Sequence, residues 1–261
     1  MYLPHLNLSI LNLPIAVART MVKALIIIMT LAVISFASFA DTTFPPHSLP
    51  LFSADYKANI KGFAVSATRE LKALDNGQFE LSFRATSWAA KIDEISTFSF
   101  TNQQAKATHY HFLQTALGKK RQRSMEFNHV EKTIKSIDKD NTTIINDIDP
   151  SVLDTLNYQL QLQLDLHNGK DNLHYKIADK GRLRDYRFEV LAEEIIETQS
   201  GNLNTVKVKV IRENKNKITY IWFAKDWSHL LVQLIQYEGD KQRLSIQLNT
   251  AKVNDITVAG I

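Results

Sequence analysis

The sequence predicts a mainly β protein: one large, strongly curved antiparallel sheet, a half-barrel or open barrel, with one helix packed on or inside it. Three observations predict this. Strict alternation of apolar and polar residues recurs along the chain, as where Val206, Val208 and Val210 interleave with Lys207 and Lys209; this is the pattern of a sheet with one dry and one wet face. After Leu51 the only proline is Pro150, so long ladders keep their N–H donors. Turn residues sit at the joints, at Asn76-Gly77, Lys180-Gly181, Gly201-Asn202 and Gly239-Asp240, where tight hairpins demand positive φ.

Residues 1–40 read as an export signal with a leader. Arg19 and Lys23 form the basic region, residues 24–34 are apolar apart from Thr30, and Ser38 and Ala40 are the small residues that a signal peptidase reads. Cleavage is expected near Ala40/Asp41, and Met21 is the expected true start. The alternative is a retained anchor, but the apolar run is shorter than the roughly 20 residues a membrane span needs. The expected location is the periplasm, with no membrane span after signal removal. The chain has no cysteine, which excludes disulfides, thiolate metal sites and a cysteine-linked lipid anchor. Removing Arg19 and Lys23 lowers the formal charge from +4 to +2, so the basic balance is no signal for nucleic acid.

Residues 41–50 form a proline-rich lead-in with Pro45, Pro46 and Pro50, and residues 51–261 read as a single β domain. The strands expected first are LFSADYKAN, FAVSATREL, GQFELSFRATSWAA and DEISTFSFT. AKATHYHFLQ, KRQRSMEFNH, KTIKSID and TTIIND follow. Beyond a break come NLHYKIAD, LRDYRFEVLAEE, NTVKVKVIREN, KITYIWFAKD, HLLVQLIQYEG and RLSIQLNTAKV. The break is DPSVLDTLNYQLQLQLDLHNGK. Leu153, Leu156, Leu160 and Leu164 follow helical spacing, whereas Leu160, Leu162, Leu164 and Leu166 alternate as in a strand. Length, Asp149 as N-cap, Pro150 at the first position and Asn168-Gly169 as a stop decide for a helix at about 150–167.

Three stretches carry a resemblance: YKANIKGFAVSATRELKAL leading into GQFELSFRATSWAA; DPSVLDTLNYQLQ; and YRFEVLAEEIIETQSGNLNTVKVKVIR running into ITYIWFAKDWSHLLVQLIQYEGD. Together they resemble a family of exported bacterial proteins known as domain of unknown function 3108. The Trp222–Asp226 hairpin is the most specific part; where the family often carries a proline on the returning strand, this chain has Leu231-Val232. The resemblance implies a strongly curved antiparallel sheet wrapped around a helix, similar in outline to the half-barrels of lipoprotein carriers. The family has no established activity, so the resemblance supplies no catalytic residue.

No nucleophile elbow, zinc-protease motif, phosphate loop or dinucleotide fingerprint occurs, and the chain is not expected to be an enzyme or to carry a cofactor or metal. His109 and His111 share a strand side but lack a signalled third ligand. Residues 138–149 begin like a calcium loop, yet Thr143 stands at the glycine position. Two features remain as candidates. Lys119, Arg121 and Arg123 on one strand, with Arg182 and Arg184 on another, form an anion-binding rim if those strands are neighbours, or an ordinary wet face if not. Trp88, Leu153, Leu156, Leu160, Tyr220 and Trp222 line an apolar pocket between sheet and helix, or simply fill a core. The function expected on this basis is a periplasmic binding or carrier protein for an apolar or lipid-like ligand. The alternative is an envelope assembly or scaffold protein acting through protein contacts.

Overall fold

In the computed structural model, the described residues are 49–60, 62–211 and 216–261. The export signal and most of the lead-in lie outside them. Fifteen strands form one antiparallel sheet. The first eight are β1 (Phe52–Ile60), β2 (Phe63–Ala73), β3 (Phe79–Thr86), β4 (Ala90–Thr101), β5 (Gln104–Ala116), β6 (Lys119–Asn128), β7 (Thr133–Asp138) and β8 (Asn141–Ile145). The helix α1 (Asn157–His167) follows. Then come β9 (His174–Asp179), β10 (Arg182–Thr198), β11 (Gly201–Ile211), β12 (Lys217–Ala224), β13 (Leu230–Glu238), β14 (Lys241–Val253) and the two-residue β15 (Ile256–Thr257). Only β15, too short to show a period, has no counterpart in the sequence pattern.

Strand order explains why one α-helix suffices among the described residues. The path is β8-β7-β6-β5-β4-β3-β2-β1-β14-β13-β12-β11-β10-β9. Every connection is a hairpin between neighbours except the passage from β8 to β9, which joins the two outermost strands. The segment carrying α1 makes that passage, so it must cross the concave face. The edges are drawn together along it. Leu153 pairs in parallel with Ile177 on β9, through Leu153 N–H to Lys176 O at 3.0 Å and Ala178 N–H to Leu153 O at 2.8 Å. The sheet stays open, because β8 and β9 do not pair with each other.

The helix begins later than the sequence indicates. Asp149 does not cap it; its Oδ1 accepts from Ser151 N–H and Oγ at 2.8 and 2.6 Å in a turn of its own. The carboxylate that holds the entry to the helix is Asp154, two residues before the N-cap Leu156; its Oδ1 takes the N–H groups of Leu156 and Asn157, both at 2.8 Å. Leu153 and Leu156 therefore precede the helix. Within it Leu160, Leu162 and Leu164 are buried, and so are Gln161, Gln163 and Asp165 between them. A helix enclosed on all sides has no wet stripe and hence no amphipathic period, which is why the LQLQLQL run reads ambiguously. Each of these three polar side chains is bonded to the surrounding sheet or its turns. Gln161 Oε1 accepts Ala105 N–H (2.9 Å) and its Nε2 donates to Gln103 O (3.0 Å). Gln163 Nε2 donates to Ser228 O (3.1 Å), and Tyr175 OH donates to Asp165 Oδ2 (2.9 Å). Such bonds remove most of the cost of burying polar groups.

Candidate functional site

The helix fills only part of the concave face. Eleven residues make a rod of about 16 Å, whereas strands of nine to thirteen residues run about 30–40 Å. Beyond the helix N-terminus the concave side chains stay partly exposed: Phe83, Ile92 and Phe112 on one wall, Val65, Ile246 and Leu234 on the other. The register places them on the same face as the helix. Ile221, Leu234, Ile246, Ala58 and Val65 are successive partners across five strands, and Ile221 pairs with Val208 beside the Val210–Phe188 pair. Phe188 in turn stacks on Tyr158 of α1 at 6.0 Å.

Between the filled and the open halves runs a row that alternates charge and ring. Successive cross-strand partners are Asp138, Arg123, Phe112, Glu94, Phe83, Arg69 and Ala54. Glu94 Oε1 accepts Tyr110 OH at 2.6 Å and Thr155 Oγ1 at 3.1 Å. Burial raises the Glu94 carboxyl above its usual range, against the pull of those two hydroxyls and of Arg123 and Arg69. Arg123 lies over the Phe112 ring at 4.3 Å and pairs with Asp179 of β9 at 3.2 Å. Arg69 lies over the Phe52 ring at 5.3 Å and is 3% exposed, with none of its guanidinium nitrogens hydrogen-bonded. Asp154, on the same floor, receives Ser96 Oγ at 2.5 Å. Burial pushes its carboxyl up to about 7, although the Ser96 hydroxyl and two backbone N–H groups favour the ionised form.

The expected rim is partly assembled, by another route. β6 and β10 are not neighbours in the sheet; the curl brings them together around acidic residues. Asp179 holds Arg123 and, at 3.1 Å, Arg184, while Asp138 holds Arg121 at 3.4 Å. Lys119 and Arg182 are exposed and stand outside this cluster of ion pairs. The expected lining is reassigned as well. Trp88 is 80% exposed in the β3–β4 turn, edge-on to Phe63, because the chain reverses there before the ring can reach the interior. Tyr220 and Trp222 point away from the helix, since Ile221 and Phe223 take the concave side of β12. Trp222 is buried under the curling end of β10, with its Nε1 donating to Glu194 at 2.8 Å and Lys207 Nζ 5.0 Å from its ring. Leu153, Leu156 and Leu160 are buried where the helix and its approach meet the sheet, and so belong to the filled half. Arg69, Glu94 and Asp154 escaped the sequence reading because each is a lone charge in an otherwise ordinary strand or turn. The only available signal was that Arg69 and Glu94 occupy the apolar phase of their strands.

Among the described residues no group of three histidine or acidic side chains is arranged to hold a metal, and His109 and His111 stay without a third ligand. None of the described helices is long and apolar enough to cross a membrane.

No curated protein matches the chain. Among solved structures, a chain titled "putative lipoprotein from Parabacteroides distasonis ATCC 8503" is similar at 13% identity. The match covers 79% of this chain and 97% of that one, with a TM-score of 0.30. The profile of the family described as "Protein of unknown function (DUF3108)" matches residues 55–241, and the chain belongs to that family.

Proposed function

We propose that this is an exported binding or carrier protein of the bacterial envelope, which shelters one apolar or lipid-like ligand in the open half of its concave face. The observation that carries this reading is the mismatch of lengths. A helix of about 16 Å leaves a trough walled by Phe83, Ile92, Phe112, Val65, Leu234 and Ile246 in contact with solvent. Covering such a wall with an alkyl chain is favourable by about 25 cal/mol per Å² of apolar surface removed from water. The reading includes a periplasmic location, cleavage near Ala40/Asp41 and no catalytic role. Native mass spectrometry and solvent extraction of protein purified from the periplasm test it, together with displacement of an apolar fluorescent probe by neutral amphiphiles. Protein that is consistently free of ligand and does not take up the probe would refute it.

One observation favours a second reading, an assembly role through protein contacts. β8 pairs only with β7, and its Thr142, Thr143 and Ile144 are exposed, so a partner strand could add there. A stoichiometric envelope protein recovered with the chain, without lipid, would select that role.

A further inference from the structure

The charged row beside the open half contains one cation that no carboxylate among the described residues pairs. Arg121, Arg123 and Arg184 each have a carboxylate within 3.4 Å. Arg69 has none. It is 3% exposed, and its Nε, Nη1 and Nη2 make no hydrogen bond of good geometry; the polar group that acts on it most is the neutral Tyr56 hydroxyl. Tyr56 OH donates to Leu231 O at 3.0 Å, and Glu94 already takes two hydroxyl donors. Phe52 offers only a ring face. Burial lowers the guanidinium's affinity for its proton, with Tyr56, Tyr158 and Glu94 working the other way. An arginine stays charged even so, and an isolated buried charge is costly enough that folds pair it.

The surroundings say what would pair it. One step from Arg69 and Phe83 towards the open half, the register-paired positions on the same face are Ala67 and Ala85, the smallest side chains of that wall. Both are buried, as Arg69 is, and beside them on the same face stand the partly exposed Val65 and Ile92. A guanidinium fork matches a planar two-oxygen acceptor. With Glu94 two strands away in the same row, there is no spare positive charge for a doubly charged phosphate ester.

We propose that the ligand of the hollow is a single-chain carboxylic acid, bound with its carboxylate on Arg69 and its alkyl chain over Ala67 and Ala85 against the open apolar walls. This rests on the hollow proposed above. The inference names its ligand class and the residue that selects it, and it assigns Arg121, Arg123 and Arg184 to holding the sheet edges rather than to the ligand.

The test compares dodecanoic acid, 1-dodecanol and dodecyl phosphate as competitors of an apolar fluorescent probe, on the signal-free chain and on Arg69→Met. Methionine fills similar space and removes an unpaired charge, so the variant should fold; the comparison of competitors on the unaltered chain stands without it. The acid should bind at least about tenfold more tightly than the alcohol. Arg69→Met should lose that preference while its affinity for the alcohol stays within about threefold. Equal binding of acid and alcohol, an acid preference that survives Arg69→Met, or phosphate binding more tightly than carboxylate each overturns the inference and leaves the hollow standing. Binding of none of the three overturns the hollow and the inference together.

Discussion

Replacing Asp154 with asparagine isolates the buried carboxyl that starts the helix. Asp154 is fully buried, and its carboxyl is pushed up from the ordinary 3.8 to about 7, chiefly by loss of water. The folded state therefore binds the proton more tightly than the unfolded state. The stabilisation from the protonated form is complete below about pH 4, declines as pH rises from there to 7, and is absent above. At 1.36 kcal/mol per pH unit across that window, the loss is about 4 kcal/mol. The substituted asparagine keeps a carbonyl oxygen for the N–H groups of Leu156 and Asn157 and an NH₂ for the Ser96 hydroxyl, but never ionises. Asp154→Asn should lie within about 1 kcal/mol of the native protein at pH 4 and exceed it by up to about 4 kcal/mol at pH 8. Urea unfolding followed by tryptophan fluorescence from pH 4 to 8 reads this. His229, held down to about 4 by burial and by His167, contributes the opposite slope between pH 4 and 6.5, but it is common to both proteins and cancels in their difference. Parallel stability curves for the two proteins would show that Asp154 is ionised in the fold throughout, and the burial argument would be wrong.

Other substitutions test the packing. Leu160→Ala, at a fully buried position of α1, should cost about 2–5 kcal/mol in urea unfolding, the usual range for a cavity in a core. Trp88→Ala should change stability by less than about 0.5 kcal/mol, since the ring is mostly in water; a loss several times larger would return Trp88 to the interior. Trp222→Phe should cost about 0.5–1.5 kcal/mol by removing the indole bond to Glu194, which keeps Lys207 as a partner, and should remove the most buried tryptophan signal. At Gly181, φ is +73° and an added Cβ would stand 3.0 Å from Thr143 Oγ1 on β8. Gly181→Ala should therefore destabilise by more than about 1 kcal/mol, measured as a lower midpoint in urea.

Much of the sheet was legible because alternation is local. Each run from LFSADYKAN to RLSIQLNTAKV carries its own period, and the glycines mark the reversals. The helix was legible in existence but not in extent. Asp149 and Asp154 both stand at plausible caps, and the choice between them lies in the parallel bridge of Leu153 to Ile177, a contact made across the whole sheet. The basic residues were visible as a group, but their pairing with Asp138 and Asp179 was not.

By itself, the sequence determined an antiparallel sheet, its strands in order and the one segment that breaks it, since hydrophobic period and turn chemistry are set by near neighbours. Only the tertiary structure decided which face of each strand turns inward, and so that Ile221 rather than Trp222 meets the interior. It alone set Asp138, Arg123, Glu94 and Arg69 in one row from four different strands, because register and curl fix distances between residues that the chain keeps far apart.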